Sequence, residues 1–119
     1  MKFKISLIAA LLLSLAFSAV TFAASRNVTV QNKTGRDIKA IYISPVAEDD
    51  WERCRISDDI IFDGESEVVY FRTQRHVDYW DVRCVYLNGR TEIWYGVDLE
   101  DGDILILRRN GRFSMEEGY

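Results

Sequence analysis

The chain has 119 residues, 48% hydrophobic and 29% charged, with seven glycines and a single proline. This profile excludes disorder, collagen-like sequence and repeat arrays and describes one folded domain. The formal charge of −4 gives no bulk attraction to polyphosphate backbones or anionic lipid, which argues against nucleic-acid binding.

In chain order, Lys2 and Lys4 precede an apolar run from Ile5 to Val20, broken only by Ser6, Ser14 and Ser18, and Thr21-Phe22-Ala23-Ala24-Ser25 follows. A charged start, an apolar middle and a small-residue end make a secretory leader, with cleavage expected after Ala23. The run is shorter than the ~20 residues a spanning helix needs. The domains expected are therefore a signal peptide over 1–23 and one folded unit over 24–119, which places the mature protein in the periplasm or outside the cell. Cleavage removes two lysines and no acid, so the charge moves from −4 to −6. A domain of this size buries about two-thirds of its unfolded surface, and covalent reinforcement is useful. Cys54 and Cys84 are the only cysteines. In an oxidising compartment they form a disulfide, adding about 3–4 kcal/mol in the chain-entropy model, or stay as two buried thiols.

The mature chain reads as short strands. Asn27–Gln31 alternates around Val28 and Val30, and Ile38–Ile43 carries Ile41 and Ile43 on one face; with Asn32-Lys33-Thr34-Gly35 between them, the two predict a hairpin. Pro45 ends the second strand. An acidic loop with Glu48, Asp49 and Asp50 leads to Trp51, and Ala47–Ile56 is too mixed to read as a helix. Ile60–Phe62 is a short apolar piece before Asp63-Gly64, and Glu67–Arg72 is a β-branched and aromatic strand.

Between Val77 and Val97, Asn88-Gly89 predicts a two-residue type I′ hairpin. That register pairs Tyr86 with Thr91, Cys84 with Ile93, Val82 with Tyr95 and Trp80 with Val97. It points Trp80, Val82, Cys84, Tyr86, Ile93, Tyr95 and Val97 at the core. Arg83 and Trp94 fall opposite each other on the outer face. Ile104–Leu107 is the last strand, and Asn110-Gly111 turns the chain into a tail, Arg112–Tyr119. About seven strands joined by short turns predict an all-β fold, an antiparallel two-layer β-sandwich open to an immunoglobulin-like architecture.

Taken in order, Asn32-Lys33-Thr34-Gly35, Ile41-Tyr42-Ile43-Ser44-Pro45, Trp51, Gly64-Glu65-Ser66, Trp80-Asp81-Val82-Arg83 and Trp94-Tyr95-Gly96-Val97-Asp98-Leu99 resemble the framework of a family of small exported bacterial proteins: N-x-T-G, Y-x-S-P, W-D-x-R and W-x-G-V-D-L. The likeness spans roughly residues 28–107 and implies fold and export, with no activity attached. Relatives often carry cysteines just before the W-D element and directly after V-D-L. This chain has His76-Val77 and Glu100 in those neighbourhoods, so no family disulfide transfers to Cys54 and Cys84.

Candidate sites divide by chemistry. Asp98, Glu100, Asp101 and Asp103 are the candidate metal ligands, because calcium takes about six to eight oxygens from flexible loops. The segment misses the EF-hand spacing, and a solvated acidic turn is the competing reading. His76 is the only histidine and lies in a polar stretch. A Cys54–His76 dyad lacks an orienting third group, and the acids are too numerous to single out a catalytic pair. The candidate binding residues are Arg83, Trp94 and Trp51, since arginine beside exposed aromatics is the composition of a recognition surface. The alternative is that the tail with Phe113 and Tyr119, or the Trp51 loop, merely covers that face.

The function expected is a non-enzymatic exported module that binds a protein or envelope component or supports the envelope structurally. It has no cofactor, no nucleic-acid partner and no membrane span after leader removal. The alternative is a calcium- or small-ligand-binding domain using the acidic loops.

Overall fold

A computed structural model of the chain describes residues 25–56 and 59–118. The leader and its cleavage point lie outside the described residues, as do Asp58 and Tyr119. The rest is an all-β sandwich of seven strands in two sheets. The strands are β1 Ser25–Asn32, β2 Ile38–Pro45, β3 Ser66–Arg72, β4 Trp80–Tyr86, β5 Thr91–Val97, β6 Ile104–Leu107 and β7 Phe113–Glu116. One sheet has the order β3-β1-β6-β7 and the other β2-β4-β5. An immunoglobulin constant domain also divides four and three, but its order, ABED against CFG, is a different one. Among the described residues no helix is long and apolar enough to cross a membrane.

Alternation on each strand supplies the core. Val28 and Val30, Val69 and Phe71, and Leu105 and Leu107 face inward from the larger sheet. Ile41 and Ile43, Trp80, Val82 and Cys84, and Trp94 and Val97 meet them from the smaller one. Phe71 and Trp80 join the two layers edge to face, with ring centroids 5.2 Å apart, a contact contributing about 0.5–1.5 kcal/mol beyond its burial.

Three expectations about pairing are corrected. First, β1 and β2 do not form a hairpin. β1 pairs with β3 and, in parallel, with β6, whereas β2 pairs with β4 in the other sheet. The connection crosses between the layers around Asn32, which is fully buried. Its Nδ2 donates to the carbonyls of Arg36 (2.7 Å) and Ile61 (2.9 Å), and its Oδ1 accepts from the amide and hydroxyl of Thr34. A buried amide thus meets the backbone groups that a ladder would otherwise satisfy. Second, Ile60–Phe62 contributes only an isolated bridge, Ile38 to Ile61, and the seventh strand comes from the tail, where β7 pairs with β6.

Third, the central hairpin slips by one residue. Val85 faces Thr91, Cys84 faces Glu92, Arg83 faces Ile93 and Val82 faces Trp94. The Gly89 amide donates to the Tyr86 carbonyl at 2.9 Å and the Tyr86 amide to the Arg90 carbonyl at 2.8 Å, so Leu87, Asn88 and Gly89 form a three-residue loop. Only Gly89 has positive φ there, which is the geometry of a turn closed by a glycine bulge. Because side chains alternate with period two, the slip inverts Thr91–Tyr95. A second bulge, at Tyr95-Gly96 opposite Asp81, restores the expected Trp80–Val97 pair. The positive-φ pair appears instead at Asn110-Gly111, where the Gly111 amide donates to Glu92 Oε2 at 2.8 Å.

Candidate functional site

The outer face of the three-stranded sheet carries the candidate site. Tyr42, Arg83 and Ile93 stand in register across β2, β4 and β5, and Tyr95 follows on the same side, 67% exposed. The Arg83 guanidinium carbon lies 4.7 Å from the Tyr42 ring centroid and 4.7 Å from that of Trp51. Its Nε is buried with no hydrogen-bond partner among the described residues. The two rings supply the stabilisation that hydrogen bonds at Nε do not, about 0.5–1 kcal/mol each where partly exposed.

Trp51 reaches this face through a loop whose backbone is bent to place it. Ala47, Asp49 and Glu52 all adopt positive φ, an uncommon state for residues other than glycine. Side chains from the strands hold the bend. Ser44 Oγ accepts from the Asp50 amide at 2.9 Å and Asp81 Oδ2 from the Ala47 amide at 3.2 Å. Asp81, 3% exposed, also accepts from the Gly96 amide through Oδ1 at 3.0 Å. One buried carboxylate therefore fastens both the Trp51 loop and the β5 bulge. Arg55 continues the fastening: its amide donates to the Ile41 carbonyl at 2.7 Å.

Of the predicted binding residues, Arg83 and Trp51 come together and Trp94 does not. Trp94 is fully buried, and its Nε1 donates to the Arg108 carbonyl at 2.9 Å. The one-residue slip moved it to the core and moved Tyr95 out. Sequence reasoning missed Tyr42 as the partner of Arg83, although its alternation with Ile41 and Ile43 already placed it on the outward side of β2.

The acidic candidates are not gathered into a ligand set. Among the described residues no group of three or more His, Cys, Asp or Glu side chains is placed to hold a metal. Asp98 Oδ1 accepts from the Glu100 amide, Glu100 pairs with Arg26 at 3.3 Å and Asp103 Oδ2 accepts from the Gly118 amide. Asp101 is exposed, and its amide donates to the Asp98 carbonyl.

The expected disulfide is absent: Cys54 and Cys84 are free thiols. Cys84 points into the core from β4, while Cys54 sits on the β2–β3 connection, packed against the core edge. Burial pushes the Cys84 thiol up from 9.0 to about 12, so it holds no thiolate at neutral pH. Its neighbour Tyr86 is pushed up as well, first by burial and then by its 2.5 Å hydrogen bond to Glu92. His76 is exposed, and no hydrogen bond joins it to Cys54 among the described residues. The searches of protein-family models, curated proteins and solved structures each return no match for this chain.

Proposed function

We propose that the protein is an exported, non-enzymatic binding module whose contact surface is the outer face of the β2-β4-β5 sheet. One observation carries this reading: a guanidinium held by two aromatic rings shares its sheet face with a tyrosine that is 67% exposed. Tyrosine, tryptophan and arginine dominate the energetics of protein interfaces, and residues ordered before contact lose less entropy on binding. Arg83 is ordered by Tyr42 and Trp51 in this way. The partner such a face suits is a protein or envelope component offering apolar surface and a carboxylate.

The test is site-specific photo-cross-linking in the expressing cell, with the reactive residue at position 95 and, as control, at the exposed Tyr70 on the other sheet. Adducts from position 95 that are absent from position 70 and lost on Arg83→Ala support the surface. Equal adducts from both positions, or adducts indifferent to Arg83→Ala, refute it.

A further inference from the structure

The strand directions place three turns at one end of the sandwich: residues 33–37, 87–90 and 108–112. Between them lies an open cleft of about 260 Å³ lined by Arg36, Arg90 and Arg109, with Tyr86, Thr91, Glu92 and Asn110 completing the wall. This concentration of arginine stands out in a chain whose formal charge is −4. Neither ion pair found among the described residues, Arg26–Glu100 and Arg55–Glu52, involves any of the three. The one carboxylate in the wall takes its hydrogen bonds from groups other than the arginines: Glu92 accepts from the Tyr86 hydroxyl through Oε1 and from the Gly111 amide through Oε2. Asp63 and Asp37, at the same end, accept from the amides of Gly35 and Asp63.

The arginines stand on fixed backbone. Arg36 follows the buried Asn32–Thr34 network, and its guanidinium lies over the Tyr86 ring at 5.7 Å. Arg109 rests on Gly35, where a Cβ would come within 3.0 Å of its Nη2. The glycine of the N-x-T-G element thereby makes room for a second cleft arginine. Counting only the residues of the cleft wall, three guanidinium groups stand against one carboxylate, a surplus of donors and positive charge that suits an oxyanion. The forked donors of arginine match tetrahedral oxyanions.

We infer that this cleft is a binding site for a phosphate-type dianion, either the free ion or the end of a phosphate monoester. The site lies apart from the sheet face proposed above and does not depend on it.

The test follows backbone amide shifts of Gly35, Arg90 and Gly111 in the mature domain during titration at constant ionic strength with inorganic phosphate, glycerol phosphate and acetate. Saturating shifts with phosphate are expected, with acetate about ten-fold weaker or worse, because a single carboxylate satisfies fewer of the donors. The Arg36→Gln, Arg109→Gln double variant weakens phosphate by about ten-fold or more, while Arg83→Gln, on the other surface, leaves it unchanged. Saturation by glycerol phosphate as well identifies the monoester end, and by phosphate alone the free ion. Shifts that never saturate, acetate binding as tightly as phosphate, or a folded double variant that binds like the parent would overturn the assignment.

Discussion

Exchanging the fates of Trp94 and Tyr95 gives the sharpest test of the structure. Trp94 is fully buried and donates its indole N–H to the Arg108 carbonyl, whereas Tyr95 is 67% exposed. Trp94→Ala removes the buried side chain and its hydrogen bond together, and large-to-small changes of this kind cost about 3–5 kcal/mol. Trp94→Phe keeps most of the apolar volume but strands the Arg108 carbonyl, a loss of about 1–3 kcal/mol. Tyr95→Ala leaves a surface site and falls within roughly 1 kcal/mol of the parent. A domain of this size has about 5–15 kcal/mol in total, so Trp94→Ala approaches unfolding. Trp94→Phe therefore serves as the measurable variant. Urea denaturation of the protein, followed by far-UV circular dichroism, supplies the free energies. Tyr95→Ala costing more than Trp94→Phe would mean that the two-residue turn at Asn88-Gly89 is correct and the three-residue loop is not.

Three further outcomes follow. Asp81→Ala, which leaves the Ala47 and Gly96 amides without an acceptor, costs roughly 2–4 kcal/mol and shifts Trp51 emission to the red as its loop comes loose; a change under about 0.5 kcal/mol with unaltered emission contradicts the double tether. For Cys84, the thiol titrates at 9.0 when unfolded and about 12 when buried, so the folded state holds its proton longer. Its contribution is complete below about pH 9 and declines as pH rises toward 12, by about 1.4 kcal/mol per unit. Cys84→Ala removes that share of the alkaline slope in urea midpoints, and an identical slope in both proteins argues against a buried thiol. Thiol counting without reductant gives two reactive groups in urea and at most one, Cys54, in the native protein; none in urea would establish the bridge.

The strands were legible where period-two alternation ran unbroken, as in Val28 and Val30 of β1 and Ile41 and Ile43 of β2, and where a short apolar run stood between turns, as at Ile104–Leu107. Pro45 marked the end of β2 correctly because it has no amide to donate. Pairing was harder to read. Asn32-Lys33-Thr34-Gly35 has the composition of a hairpin turn, yet Asn32 turns its amide inward and the chain changes sheets, which only a three-dimensional partner such as the Ile61 carbonyl reveals. Asn-Gly occurs twice and was assigned by composition. The choice between a two-residue and a three-residue loop rests on φ at Asn88, which no residue identity dictates, and everything from Thr91 to Tyr95 followed that choice. For the site, Arg83 and Trp51 were visible as chemistry, but their meeting depended on the positive-φ bends at Ala47, Asp49 and Glu52. The arginine cleft was invisible, because Arg36, Arg90 and Arg109 are scattered along the chain and only the common end of three turns unites them.

The position of β6 between β1 and β7 bears on how the chain folds. β1 finds its hydrogen-bonding neighbours in β3 and β6, so the first strand made is among the last to be fully paired. Only β4–β5 and β6–β7 join consecutive strands. Such distant pairings delay the productive transition, and sandwiches of this kind fold in milliseconds to seconds rather than microseconds. Until the carboxyl-terminal third of the polypeptide is available, β1 lacks one of its two neighbours and the larger sheet stays incomplete.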